Sequence, residues 1–441
     1  MLDTRYPRLL LLGVALLFIA TGIGLKDPWP SDEPRFALVA QEMVDSGRWF
    51  FPTRGGELYP DKPPLFMWSQ AIVLELSGSI RLASALPSLL SALVVLLVVF
   101  AAGQRFWNPR VGLLAGLLLL TTPQFVLEAR AGQLDMMVTA WIALGFYGFL
   151  RHLRDGPDRR WLFVGFAACG FGVITKGVGF LPLLAFLAWP FLRPGTGRSP
   201  ALLNVRDALV GVLCILGAIA LWLIPMLLLV ASSGDPAFEA YRDNILFKQT
   251  GERYVAPSHH FQPWWYFLGE VIPSLWFPVF VLLPWLVPAW RRAILGGNRT
   301  LPLVLAWAAL VVLFFTLSPA KRGVYILPAL PWICLAAATE LDTLVARPGV
   351  RRLALAVGGI AATAGFALGV WLSFAEPERA AGLAARYGFN PTPVPWLVAL
   401  GAGIATFVAW YRSTPVLAYA GTMLSIWLVL GLVIYPGIND Y

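Results

Sequence analysis

The sequence predicts an all-α integral membrane protein, and three observations carry that prediction. Hydrophobic residues make up 58% of the chain and charged residues only 13%, with a mean hydropathy of +0.72; soluble domains carry about twice that share of charge. The apolar residues are gathered into runs of the length a hydrocarbon core demands of a helix, roughly 20 residues. The arginines, finally, flank alternate ends of these runs, as retained cytoplasmic connections do.

Taken in order, about thirteen runs read as spans, some shortened by Gly or Pro: 8–25, 80–104, 111–123, 135–150, 161–175, 177–192, 208–231, 264–290, 301–317, 324–346, 353–375, 393–411 and 415–435. Arg5 and Arg8 precede the first run, which by itself also fits a cleavable signal peptide. The register of the later spans needs it in place. With the N-terminus in the cytoplasm, even-numbered spans return the chain there. The connections they open are Gln104–Arg110, Arg151–Arg160, Arg193–Asp207, Arg291–Arg299, Arg347–Arg352 and Arg412, and each carries arginine. The net charge of +9 therefore reports topology and gives no reason to invoke nucleic acid.

All five lysines, Lys26, Lys62, Lys176, Lys248 and Lys321, fall on the outer side, where charge retention does not ask for them. They call for an anionic partner. Cys169, Cys214 and Cys334 lie within apolar runs without CxxC spacing, so neither a disulfide framework nor a thiolate metal site follows. His152 falls on the cytoplasmic side and has no role that the sequence argues.

The first outer loop, 26–79, is the most informative segment. Ser31 or Asp32 can cap a helix, Pro34 suits its first turn, and Phe36, Val39, Ala40 and Met43 recur at helical spacing until Ser46-Gly47. This predicts a short amphipathic helix lying at the membrane surface. A second begins at Pro63-Pro64, runs through Leu65, Trp68 and Ile72, and ends at Ser77-Gly78. Both polar signatures, Asp32-Glu33-Pro34-Arg35 and Tyr59-Pro60-Asp61-Lys62, thus precede helix N-termini, which favour anions. A second outer loop, 232–263, is polar, long enough to cover a cavity, and carries Arg253 as a further phosphate contact. Ser318 to Gly323 add Lys321 and Arg322 beside Tyr325, while Trp264, Trp265 and Tyr266 read as an interfacial aromatic belt. No GxGxxG follows a strand and no P-loop is present, so a nucleotide site is not expected.

Several of these signatures together resemble the bacterial polyprenyl-phosphate-sugar-dependent glycosyltransferases of the GT-C type, within the protein O-mannosyltransferase-like superfamily and closest to the lipid A aminoarabinose (4-amino-4-deoxy-L-arabinose) transferases. The carriers are Asp32-Glu33-Pro34-Arg35-Phe36 with Glu42-Met43 and Trp49, then Tyr59 and Lys62-Pro63-Pro64 with Trp68. Asp135, Thr175-Lys176-Gly177, His260 with Pro263-Trp264-Trp265-Tyr266, and Lys321 with Tyr325-Ile326-Leu327-Pro328 follow in order. The resemblance implies a GT-C fold of thirteen transmembrane helices with juxtamembrane helices in the first periplasmic loop. It places a transmembrane domain over 1–435, with 436–441 resembling the entry into a C-terminal periplasmic domain.

The same resemblance implies roles. Asp32 matches the catalytic aspartate. Glu33, Arg35, Tyr59, Lys62, Asp135, Lys176, Arg253, Lys321 and Tyr325 match or neighbour positions around the lipid phosphate and the sugar. Asp61, standing where aminoarabinose transferases carry glutamate, and His260 match a pair that holds zinc there; the shorter Asp61 side chain departs from that pattern. The implied donor is a sugar on undecaprenyl phosphate, and the implied acceptor is lipid A or another periplasmic group. The implied location is the bacterial inner membrane, with the active site facing the periplasm.

Physical chemistry suits this cast, because the leaving group is a phosphate oxyanion and fixed cations in a dry cavity stabilise it. Asp32 serves as general base if the acceptor is a hydroxyl and as a positioning group if it is already an anionic phosphate. Bland readings stand beside these: Asp32 and Glu33 as helix caps, Asp135 and Lys176 as a buried ion pair, and His259-His260 as an ordinary polar loop. A GT-C enzyme with another sugar and a protein or O-antigen acceptor fits the motifs as well, and a polyprenyl-phosphate flippase is the rival of another class. Transporters favour ionisable groups near the midplane and repeated halves; here the charges gather at one face and no repeat is evident.

Overall fold

In a computed structural model, which describes residues 5–30, 32–188, 203–247 and 260–439, nearly every apolar run becomes a helix. The first is α1, Pro7–Ala15, continued by a wider turn over Leu16–Ala20. After the first outer loop come α4 (Ile80–Phe106), α5 (Pro109–Leu120), α6 (Pro123–Arg130), α7 (Leu134–Asp155), α8 (Arg159–Thr175), α9 (Leu184–Ala188) and α10 (Val205–Ser233). Short polar residues start them: Ser79 accepts from the Leu82 N–H at 3.3 Å, Asn108 from Val111 at 2.9 Å and Asn204 from Asp207 at 2.7 Å. Each satisfies a backbone donor that the helix leaves open.

Among the described residues eight helices are long and apolar enough to cross a membrane, or ten if two bent pairs each count as one span. The sequence predicts thirteen. The difference has local causes: 7–20 is too short for that test, α8 has 17 residues, and the run at 177–192 is described only as far as residue 188. One bent pair is α5 and α6, which turn by 72° where Thr121-Thr122-Pro123 interrupts the ladder. The other joins 267–275 to 279–295 at 106°. The exposed leucines of α10, among them Leu209, Leu213, Leu221 and Leu228, mark a lipid-facing side.

Close helix contacts use glycine. A Cβ on Gly103 of α4 would lie 2.4 Å from the Gly112 Cα of α5, so only a bare backbone lets these helices approach. Deeper in the core Phe146 of α7 stacks on Trp307 at 4.1 Å and meets Trp332 edge-on at 4.5 Å, tying α7 to the spans at 300–317 and 330–345.

The first outer loop folds as two helices and a hairpin. α2 covers Glu33–Ser46 and ends at Gly47, whose φ of 68° is the left-handed cap that glycine allows. α3 covers Leu65–Ser77. Between them β1 (Thr53–Arg54) pairs antiparallel with β2 (Glu57–Leu58) around Gly55 and Gly56, both at positive φ. The Glu42 carboxylate accepts from the Gly55 N–H at 2.6 Å and the Gly56 N–H at 3.3 Å, clamping the turn. Phe36, Val39, Ala40 and Met43 are buried, as their spacing predicts, but against Tyr59, Phe66, Met67, Ala71 and Leu134. That face of α2 therefore packs on protein, where the sequence expected a helix lying on lipid. α3 likewise buries Phe66, Met67, Gln70, Ala71 and Leu74, leaving Ile72 exposed.

Candidate functional site

Asp32 stands at the N-cap of α2, yet its side chain makes no capping hydrogen bond. Its two oxygens face two guanidiniums: Arg35 Nη2 donates to Oδ1 at 2.8 Å, and Arg322 Nη2 donates to Oδ2 at 2.8 Å. The capping role open to Asp32 in the sequence is thus not the one its carboxylate takes. Burial pushes the Asp32 carboxyl upward, but the Arg322 hydrogen bond and charge, then the charges of Arg35 and Lys62, hold it below the usual aspartate range. An ionised carboxylate has roughly four acceptor positions, so two remain for a substrate hydroxyl.

A second cluster adjoins the first. Lys176, which ends α8, donates to Asp135 Oδ1 at 2.5 Å, joining the first turn of α7 to the end of α8. The same ammonium lies 4.6 Å over the Tyr325 ring. Tyr325 follows Arg322 in a tight turn, its N–H donating to the Arg322 carbonyl at 2.9 Å, and Arg322 also feels the Asp135 charge. Arg35, Asp32, Arg322, Tyr325, Lys176 and Asp135 therefore form one connected polar group.

Lys62 contributes to the field on Asp32 from the segment that follows the hairpin. Tyr59 is buried beside it. Its Oη has no hydrogen-bond partner among the described residues, and burial, against the Arg35 charge, pushes the phenol up to about 12. A neutral phenol with an unused oxygen is a ready donor.

Glu33, which the sequence reading sets among the substrate-binding residues, is held by the scaffold. It is 4% exposed and fully engaged. Lys26 Nζ donates to its two oxygens at 2.7 and 2.6 Å, the Trp29 N–H donates at 2.8 Å, and the Gly132 N–H donates at 3.0 Å. Gly132 lies three positions before Asp135, so this one carboxylate ties the Asp32 segment to the Asp135 segment. Lys321 is also taken up elsewhere. It is buried, donates to the Gln262 carbonyl at 3.0 Å, and its N–H donates to the His260 carbonyl at 2.9 Å. Of the adjacent cations Lys321 and Arg322, it is Arg322 that reaches Asp32.

Arg253 lies outside the described residues. Among the described residues no group of three or more His, Cys, Asp or Glu side chains comes together, so Asp61 and His260 are not part of one. The described residues do not by themselves make up a zinc site.

Three groups went unassigned in the sequence. Arg322 had a signal, since it sits beside Lys321 and Tyr325, but nothing along the chain favours one cation over its neighbour. Glu128 also had one, an acid inside an apolar stretch seven positions before Asp135. The Gly132 N–H had none, because a backbone donor is invisible in a residue string.

The chain is similar to several known proteins. Residues 61–224 match the family model described as dolichyl-phosphate-mannose-protein mannosyltransferase. An undecaprenyl phosphate-α-4-amino-4-deoxy-L-arabinose arabinosyl transferase of Pseudomonas savastanoi pv. phaseolicola is 32% identical, over 73% of this chain and 58% of the relative. One of the same description from Pseudomonas aeruginosa is 29% identical, over 95% of this chain and 74% of the relative. The crystal structure of ArnT from Cupriavidus metallidurans bound to undecaprenyl phosphate superposes with a TM-score of 0.74 at 22% identity, covering 97% of this chain and 77% of that one. This last likeness shows the fold. The chain spans 58% of the length of the Pseudomonas savastanoi relative.

Proposed function

We propose that this chain belongs to the polyprenyl-phosphate-dependent GT-C glycosyltransferases and transfers 4-amino-4-deoxy-L-arabinose from undecaprenyl phosphate to a lipid A phosphate. The observation that carries the reading is the connected group from Arg35 through Asp32 and Arg322 to Lys176 and Asp135, an ionised acid set within a bank of cations. The multi-pass chain would lie in the bacterial inner membrane with its N-terminus in the cytoplasm and this site facing the periplasm.

In the transfer an acceptor oxygen attacks the anomeric carbon, the bond from that carbon to the phosphate oxygen breaks, and undecaprenyl phosphate leaves with the electron pair. Negative charge grows on the leaving phosphate, and Arg35 and Lys62 are the cations to meet it. Sites that exclude water make such interactions stronger than surface pairs, which are worth less than about 1 kcal/mol. A phosphate acceptor arrives already anionic, so Asp32 orients it or a sugar hydroxyl through the acceptor positions that the two arginines leave open. A hydroxyl acceptor would instead lose its proton to Asp32. Tyr59 Oη and Tyr325 offer neutral donors to the sugar.

The reading is tested by mass spectrometry of lipid A from a transferase-deficient, polymyxin-sensitive strain that makes the donor, expressing this chain or its Asp32→Asn variant. A gain of one aminoarabinose with the unaltered chain alone is the expected result. No gain from a chain confirmed in the membrane overturns this sugar and acceptor.

A further inference from the structure

We infer that the Glu128 carboxyl is a subsite that takes the ammonium group of the donor sugar. The inference deepens the preceding section and rests on its assignment of an amino-sugar donor.

Glu128 belongs to α6, the short helix turned 72° away from α5. Four residues earlier on the same helical face, Gln124 Nε2 donates to the Gly323 carbonyl at 2.8 Å, and Gln124 Oε1 accepts from Trp276 Nε1 at 2.6 Å. This face of α6 is therefore held against the turn that begins immediately after Arg322. Glu128 lies within electrostatic reach of Asp135, Lys176, Arg322 and Glu33, which spans both halves of the candidate site.

What distinguishes Glu128 is that its Oε2 is buried with no hydrogen-bond partner among the described residues. The other acids nearby are matched: Asp32 to two arginines, Asp135 to Lys176, Glu33 to Lys26 and two backbone N–H groups. A buried acid oxygen left unmade is costly, and such groups in native proteins call for an explanation. A cation brought by the substrate supplies one. A glycosyl phosphate with an amine on its ring carries a negative and a positive group a few ångströms apart. The site has the complementary pattern, guanidiniums around Asp32 and an uncommitted carboxyl on α6.

The test measures steady-state transfer by the full chain in lipid vesicles, using undecaprenyl phosphate carrying either 4-amino-4-deoxy-L-arabinose or neutral L-arabinose, with lipid A as acceptor. For Glu128→Gln the expected result is a KM for the amino donor raised about tenfold or more, with kcat within about twofold and the neutral donor unaffected. Glu128→Asp keeps the charge and is expected to recover part of the loss, while unchanged undecaprenyl phosphate binding by both variants reports an intact fold. An equal effect on the two donors, or none on either, overturns the subsite while leaving the proposed function standing. A wild-type chain that fails to use the amino donor overturns both.

Discussion

The Asp32 carboxylate and the Arg322 guanidinium, 290 positions apart in the chain, meet at 2.8 Å. One belongs to the first outer loop and the other to the link before the span at 323–345, so the pair closes the site across the fold. Arg35 holds the opposite oxygen of the same carboxylate from within α2. One carboxylate is thus held by a local partner on one oxygen and by a distant one on the other.

This pair sets a pH dependence. Burial raises the Asp32 pKa and the arginines with Lys62 more than reverse it, so the folded value lies below the unfolded one. The stabilisation is fully present above the unfolded carboxylate value and is lost as pH falls through the folded value. Activity that needs the carboxylate follows the same acid limb. Arg322→Ala leaves burial less opposed, so the acid limb of kcat/KM moves to higher pH. A profile that does not move would separate Arg322 from the protonation state of Asp32.

Asp32→Asn keeps size and removes charge. Transfer is expected to fall by about 100-fold or more if the carboxylate acts as base, the range general-base groups supply. Binding of undecaprenyl phosphate should persist. Single-turnover rates with the donor, compared with lipid binding by the same protein, distinguish lost chemistry from lost structure.

Lys62→Ala is expected to weaken undecaprenyl phosphate binding by about tenfold or more, the size of one hydrogen bond to a charged group at ~1.5–3 kcal/mol. Lys62→Arg should recover much of it. Equal affinity in the alanine variant, measured by titration in detergent, would remove Lys62 from the phosphate site.

The Lys26 and Glu33 pair should matter for assembly before chemistry. Breaking a buried pair leaves one charge without its partner and costs about 3–5 kcal/mol. Glu33→Gln is therefore expected to lower thermal stability markedly, while the double change Lys26→Met with Glu33→Gln should cost less than the two single losses added together. Strict additivity in thermal unfolding would contradict a direct coupling.

Tyr59→Phe removes an oxygen that has no hydrogen-bond partner among the described residues. Stability should change by less than about 1 kcal/mol, since no intramolecular hydrogen bond is lost. Donor KM should rise if the phenol meets the sugar. A large loss of stability with an unchanged KM would assign Tyr59 to packing.

The helices of the first outer loop were legible because their signals are local. Asp32 and Pro34 at one end, Gly47 at the other, and four apolar residues at helical spacing specify α2 without reference to the rest of the chain. What α2 packs against was not legible: the amphipathic pattern reports that a face is buried, and lipid and protein satisfy it equally. The hairpin at 53–58 escaped because two-residue strands are shorter than any periodicity. Among the site residues, Asp32, Arg35, Asp135 and Lys176 are brought together, whereas Glu33 and Lys321 tie the scaffold.

By itself the sequence determined that this is an α-helical membrane protein and predicted that its unusual charges gather on one side, because hydropathy and arginine placement act over a few residues at a time. Only the tertiary structure decided which charges meet. It chose Arg322 over Lys321 for Asp32, matched Lys176 to Asp135, committed Glu33 to Lys26 and the Gly132 N–H, and left the Glu128 carboxyl uncommitted. The reason is physical. Ion pairing depends on distances of a few ångströms between segments that can lie hundreds of residues apart, and those distances exist only once the helices are packed.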